Sequence, residues 1–343
     1  MVLGGVVPDT PLANVAVIVV ATAFVWVGSG WLESAAENLS RHYGLPAVVQ
    51  GSLVVAVGSS FPELASVVFT ALAGVFDMGV GAIVGSAIFN VLVIPALAGI
   101  MTDDAVEANR TLVYKEAQFY MIAVSALLIT FALAVIYFPT EGESLRGTIT
   151  RPLALIPVLL YGLYVFIQWQ DVSDYESDDV GTVDVRREWL KLLGGLAVIL
   201  VAVEQLVGAV ESLTGTFGIP VFLAGAVVVA AATSLPDTLI SVRAARTGKS
   251  VTSLGNVLGS NTFDLLVAVP VGVLIAGSVA VDFAVAAPMM GVLTVATILL
   301  FTVLRTDLSM SSAESYVLLA AYAVFVAWVG AEAAGLTSVL RGG

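Results

Sequence analysis

The 343-residue chain is 59% hydrophobic and only 11% charged, with a mean hydropathy of +1.03, so it lacks the polar surface that a soluble protein of this size needs. Its formal charge of −13 argues against nucleic acid as a partner, and the absence of cysteine excludes disulfides, thiolate metal sites and cysteine nucleophiles. The single histidine, His42, leaves little room for zinc chemistry and reads as a loop residue.

Apolar runs of membrane-spanning length follow one another from end to end. The first, at about 12–31, has no basic leader and reads as a span rather than a cleaved signal. The second, at about 45–73, contains "AVGSSFPELASVVF" (Ala56 to Phe69), which sets Glu63 in apolar sequence directly after Pro62. Three more runs follow at about 78–100, 117–138 and 152–169. The acidic stretch "DVSDYESDDVGTVDVRRE", residues 171–188, then reads as a solvated tether, with regulatory cation binding as the alternative. Beyond it lie five further runs at about 189–211, 219–244, 251–277, 284–304 and 314–335. The seventh run repeats the earlier pattern as "AAATSLPDTLISVR", Ala230 to Arg243. The sixth holds Glu204, read as either an ion-path residue or a satisfied interface acid, while Glu37 and Glu211 read as helix-end residues.

Basic residues orient the chain, because lysine and arginine favour the cytoplasmic side. With the N-terminus outside, ten of the thirteen fall in cytoplasmic loops, and only Arg146, Arg151 and Arg341 fall outside. Both termini are therefore expected outside and the tether in the cytoplasm of a multi-pass cell-membrane protein.

The two halves are copies of one another. A gap-free shift of 174 positions superimposes Gly44 on Gly218, Pro46 on Pro220, Gly51 on Gly225, Ser60 on Ser234, Pro62 on Pro236, Gly74 on Gly248, Gly81 on Gly255, Ser86 on Ser260 and Phe89 on Phe263. Five spans per half is an odd number, so the second copy enters the membrane with opposite polarity. The expected fold is an all-α polytopic membrane protein with ten transmembrane helices as two inverted five-helix repeats: residues 1–170 and 189–343, joined by 171–188. Such repeats are a transporter architecture, with substrate held near the midplane where broken helices meet. Gly51, Gly81, Gly225 and Gly255 are expected to allow close helix packing as well.

Helical spacing places Ser59, Ser60 and Glu63 on one face, and Thr233, Ser234 and Asp237 on its counterpart. Pro62 and Pro236 free the carbonyls of Gly58 and Ala232 from their helical donors. Ser86 with Asn90, and Ser260 with Asp264, add pairs at four-residue spacing. Together these segments offer carboxylate, hydroxyl, amide and carbonyl oxygens, without nitrogen or sulfur, which suits hard cations. Two carboxylates, with a third from Asp264, would be neutralised by one calcium ion or by several sodium ions, making the two cargoes mutually exclusive.

The pairs "GSSFPEL…GAIVGSAIFN" and "ATSLPDT…GNVLGSNTFD" closely resemble the two alpha-repeats of the calcium/cation antiporter superfamily. Its members exchange sodium or protons for calcium through ten helices. The resemblance implies that Glu63 and Asp237 are the central calcium carboxylates. It further implies that Ser59, Ser60, Thr233, Ser234, Ser86, Ser260, Asn90 and Asp264 supply surrounding oxygens, and that the backbone carbonyls of Ala56 and Ala230 contribute. Ser59 stands where threonine is usual and keeps the hydroxyl. Asp237 stands where many prokaryotic members carry glutamate, and with Asp264 it is similar to the potassium-dependent sodium/calcium branch. The expected function is a sodium/calcium antiporter, not an enzyme, since neither HExxH nor GxSxG occurs. Proton/calcium, other divalent-cation, or potassium-dependent exchange are the alternatives. No cofactor and no protein partner are implied; calcium and sodium, with potassium as a further candidate, are cargo.

Overall fold

The computed structural model describes residues 9–44, 56–102, 105–141, 145–170 and 183–340. The first half of the second predicted span, with Pro46 and Gly51, lies outside the described residues, as do most of the tether and Arg341. Helix α1 spans Pro11–His42. It starts where Thr10 accepts a hydrogen bond from the Ala13 amide at 3.3 Å, with proline in its first turn, and it ends on Arg41 and His42. The helix therefore runs well beyond the predicted 12–31. Hydropathy falls off after Trp31, whereas backbone hydrogen bonding continues through Glu33 to His42. His42 is thus the last residue of α1 rather than a loop residue, with its ring edge-on to Tyr43.

Next come α2 (Ala56–Ser59), α3 (Phe61–Ala73), α4 (Phe76–Met101), strand β1 (Val106–Glu107), α5 (Thr111–Tyr137), strand β2 (Arg146–Thr150) and α6 (Arg151–Gln170). The second half has α7 (Val185–Phe217), α8 (Val221–Thr233), α9 (Leu235–Arg246), α10 (Ser250–Ala276), strand β3 (Ser278–Asp282), α11 (Phe283–Asp307), strand β4 (Ser309–Met310) and α12 (Ser312–Ala333). Residues 185–188, read from sequence as the end of the tether, form the first turn of α7, capped by Asp184. Among the described residues eight helices are long and apolar enough to cross a membrane, nine if α8 and α9 form one bent span.

Glycines matched by the 174-position shift share backbone conformation. Gly44 and its mate Gly218 both have φ of 65°, and Gly74 and Gly248 have φ of 78° and 77°. These left-handed conformations end helices, and glycine adopts them without a Cβ clash. Helices α5 and α11 run antiparallel, tied at one end by β1 with β4 and at the other by β2 with β3. Exchanging α5 with α11 turns one ribbon into the other. Asp77 anchors the second ribbon to α4, accepting the Asp282 amide at 3.3 Å and pairing with Arg146 at 3.6 Å. The two ribbons, with an isolated bridge between Pro139 and Gly147, interrupt an otherwise helical architecture among the described residues.

Burial separates a centre from a rim. The apolar windows of α4 and α10 are 83% and 78% buried, against 22–39% for α1, α5, α6, α11 and α12, whose exposed leucine, valine and phenylalanine side chains suit lipid. Glycines let the centre close. A Cβ on Gly81 would strike Phe222, one on Gly85 would strike Ala226, and one on Gly225 would strike Met78, all at backbone atoms, so α4 and α8 touch main chain to main chain. The expectation of close packing holds for Gly81 and Gly225 but fails for Gly255, around which a Cβ would meet nothing within 4 Å. At the rim, α1 and α7 cross at Gly28 and Gly195, where a Cβ on Gly195 would lie 2.7 Å from the Gly28 carbonyl oxygen. Asp9 ties their ends, accepting from Ser212 at 2.6 Å and Asn14 at 2.9 Å, which holds its carboxyl below the usual range.

Candidate cation-binding site

Two helix breaks create the site. Proline at 62 and at 236 lacks the amide that would close the preceding turn, and the chain breaks at Ser60 between α2 and α3 and at Ser234 between α8 and α9. The second break bends the path by 48°. Each new helix begins with a carboxylate in its first turn, Glu63 in α3 and Asp237 in α9, where unpaired amides and the helix dipole favour negative charge. The central helices α4 and α10 cross these breaks and bring Ser86 with Asn90, and Ser260 with Asp264. All ten of the side chains predicted from sequence (Ser59, Ser60, Glu63, Ser86, Asn90, Thr233, Ser234, Asp237, Ser260 and Asp264) are fully buried.

Hydrogen bonds join them across the repeats. The hydroxyls of Ser86 and Ser234 lie 2.7 Å apart and those of Ser59 and Ser260 3.1 Å apart. Asp237 accepts from Asn90 Nδ2 at 3.3 Å and from Ser260 Oγ at 3.4 Å. Thr233 instead turns back on its own helix, donating to the carbonyls of Val229 at 3.1 Å and Ala230 at 3.3 Å. The Ala230 carbonyl also receives the Ser234 amide at 2.9 Å, so this predicted ligand already carries local hydrogen bonds. Ala56 opens α2 as the first described residue of its helix.

Glu63 and Asp264 stand apart. Neither closes a hydrogen bond on either carboxylate oxygen, although the hydroxyls of Thr233 and Ser234 neighbour Glu63 and that of Ser60 neighbours Asp264. Among the described residues no lysine, arginine or histidine pairs with any of the three acids. A buried carboxylate without partners costs several kcal/mol, and cations or protons are what relieve it. The three acids do not converge on one point as a three-carboxylate metal cluster. Neighbouring subsites built from one or two carboxylates plus hydroxyl and amide oxygens are what the cluster can form. Asp264 also opens a π-helical turn, Asp264–Ala268, of the kind that often marks functional positions in helices.

Two residues absent from the sequence reading complete the cluster. Asn261, beside Ser260, donates its amide to the Ala87 carbonyl at 3.2 Å and to Tyr120 Oη at 3.2 Å, and accepts from Asn90 Nδ2 at 3.0 Å. A backbone carbonyl can only accept, so it fixes which way the Asn261 amide points. The Asn261 oxygen must then face Asn90, whose own nitrogen is used on Asn261 and Asp237. What remains for a ligand is Asn90 Oδ1, which is buried and has no partner. The repeat mate of Asn261 is Ala87, so the repeat pattern could not reveal it. Tyr120, on α5, is likewise fully buried with no charge or motif to draw notice. Of the other acids, Glu37 pairs with Arg41 at the exposed end of α1, while Glu204 and Glu211 lie part-buried within α7.

The family described as sodium/calcium exchanger protein matches residues 13–170 and 188–331, most of the chain. The sodium/calcium exchanger MaX1 of Methanosarcina acetivorans is 26% identical over 280 residues, covering 72% of this chain and 79% of that protein. Sodium/potassium/calcium exchanger 3 of Rattus norvegicus is 36% identical over 135 residues, 38% of this chain and 19% of that protein. The solved structure of the sodium-calcium exchanger NCX_Mj aligns with a TM-score of 0.63 at 21% identity, covering 93% of this chain and 99% of that one, so the two share a fold. Helix breaks, buried oxygens and family match agree: the chain belongs to the sodium/calcium exchanger family and is a multi-pass membrane cation antiporter, not an enzyme.

Proposed function

We propose that this antiporter exchanges sodium for calcium across the cell membrane by alternating access. The observation that carries the reading is the set of three fully buried carboxylates, surrounded by hydroxyl and amide oxygens and free of any basic partner among the described residues. Glu63 and Asp237 are the central calcium ligands. Ser59, Ser60, Ser86, Asn90, Thr233, Ser234, Ser260 and Asp264, with the backbone carbonyls of Ala56 and Ala230, provide further oxygens for calcium and sodium. Calcium neutralises two of the charges and sodium ions neutralise them singly, so the cargoes compete. The proposed frame is ten spans in two inverted repeats, 1–170 and 189–343, with a cytoplasmic tether and both termini outside. The matched glycine dihedrals of the repeat mates and the ribbons that tie α5 antiparallel to α11 support it. Helices α1 and α7, packed on each other at the rim, would slide against a core of α2–α3, α4, α8–α9 and α10, exposing the site to each face in turn.

Asp264 favours a second reading of the coupling. It stands where the first repeat has Asn90, and its uncompensated oxygens require a monovalent cation or a proton alongside calcium. Potassium or a proton could take that place as well as sodium. Calcium uptake into proteoliposomes under an imposed sodium gradient, a proton gradient, or neither, separates the readings. Uptake driven only by sodium supports sodium/calcium exchange; uptake driven only by protons replaces it with proton/calcium exchange.

A further inference from the structure

We infer that Ser29 and Glu33 of α1, together with Asp237, form an access site where a transported cation is held before it enters or after it leaves the central site. The inference rests on the cation-exchange reading above. Glu33 lies outside the two repeat motifs, on a rim helix, yet it packs against the centre. A Cβ on Gly58 would lie 3.8 Å from its Cγ and 3.9 Å from its Cα, which puts Glu33 beside α2, two residues before the break at Ser60. One carboxylate oxygen of Glu33 is buried without a hydrogen-bond partner. The hydroxyl of Ser29, one turn earlier on the same face of α1, is fully buried and also has no partner. Helical side chains lean toward the N-terminus, so the Glu33 carboxylate extends over the turn that carries Ser29.

Helix α1 also packs against α9, whose first turn carries Asp237. Glu37 is already paired with Arg41 at the end of α1. Glu33, Ser29 and Asp237 all offer hard oxygens, and a cation shared among them would relieve the repulsion between the two acids on these packed helices. Packing alone does not require this pair. Under the shift of 174 positions, Ser29 and Glu33 correspond to Val203 and Val207, both buried and apolar on α7. The second repeat therefore fills the same two positions with hydrocarbon, and only one face of the exchanger gains the polar pair. That face is the one toward which α1 ends, the cytoplasmic face in the proposed orientation.

The test is sodium-dependent calcium transport by the full-length protein in inside-out and right-side-out membrane vesicles, with calcium varied on the accessible face. Glu33→Gln is expected to raise the calcium KM about tenfold at the face where α1 ends, leave the KM at the opposite face unchanged, and keep the maximal rate within about twofold, a tenfold change corresponding to about 1.4 kcal/mol. Ser29→Ala should shift the same KM about threefold, and Glu33→Asp, which restores the charge, should recover most of the affinity. Size-exclusion profiles matching wild type establish that the variants are folded, and Ser29→Ala supplies the same readout if Glu33→Gln is poorly expressed. A KM unchanged at both faces, raised equally at both, or a maximal rate lost with KM unchanged would each overturn the access site. Absence of calcium uptake by wild-type vesicles under any gradient overturns the exchange reading and this inference together, whereas a normal wild type with unshifted variants overturns this inference alone.

Discussion

Asn261 offers a sharp test of how the site is oriented. Asn261→Ala removes three hydrogen bonds at once: to the Ala87 carbonyl, to Tyr120 and from Asn90. At about 1 kcal/mol net for each, the folded state should lose about 3 kcal/mol, with a small further cost for the space left behind. The functional effect has a different origin. Without Asn261 as acceptor, nothing but Asp237 holds the Asn90 amide, and rotation about its terminal bond turns its NH2 group toward a bound cation in place of Oδ1. Replacing one oxygen ligand of a charged species by a donor costs about 1.5–3 kcal/mol, or about ten- to a hundredfold in calcium affinity. Tyr120→Phe is the matched control. It deletes one hydrogen bond but keeps Ala87 and Asn90 on Asn261, so stability should fall by about 1 kcal/mol while calcium affinity stays within about threefold. Calcium titration of the purified protein, with thermal unfolding in the same detergent, measures both quantities. A folded Asn261→Ala protein that binds calcium within twofold of wild type would refute the orienting chain from Ala87 through Asn261 to Asn90.

Other expectations follow from the same geometry. Glu63→Gln or Asp237→Asn keeps side-chain size but removes charge, so calcium uptake into proteoliposomes should be abolished in folded protein; uptake at the wild-type rate would end the assignment of these two acids. If potassium compensates Asp264, wild-type sodium-driven calcium uptake rises steeply when potassium is added on the calcium side, and Asp264→Asn removes that dependence while keeping exchange. Equal wild-type rates with and without potassium reject it. Gly85→Ala pushes a Cβ into the Ala226 backbone and should cost about 2–3 kcal/mol, seen as a lowered thermal midpoint. Gly255→Ala, with open space around it, should be neutral or stabilising by up to about 1 kcal/mol, and a comparable loss there would contradict the packing described.

What the sequence determined by itself rests on composition and on covalent chemistry that acts within a few residues. Hydropathy of +1.03 requires a membrane whatever the fold. A missing proline amide breaks its own helix, so the positions of Glu63 and Asp237 at new helix starts were legible from "FPEL" and "LPDT". The 174-residue repeat pointed to Ser86 with Asn90 and Ser260 with Asp264 because duplicated segments keep the same burial and spacing. Helix ends were less legible, as with α1, because capping and packing carry a helix past the last apolar residue.

Tertiary structure alone decided which of these groups meet. Ser59 and Ser260 are 201 residues apart in the chain and 3.1 Å apart at their hydroxyls, a pairing that exists only because α2 and α10 are pressed together by the packing of the whole centre. Asn261 and Tyr120 had no repeat mate or charge to mark them, and their role comes from a carbonyl on a third helix that fixes the direction of an amide. Glu33 carries no mark in the sequence, and only the packing of α1 on Gly58 and on α9 brings it toward the central site. Gly255 and Gly81 are mates in sequence, yet a backbone presses against one and not the other. Local pattern repeats exactly where the chain was duplicated, but contacts belong to the assembled whole, in which the two copies have different neighbours.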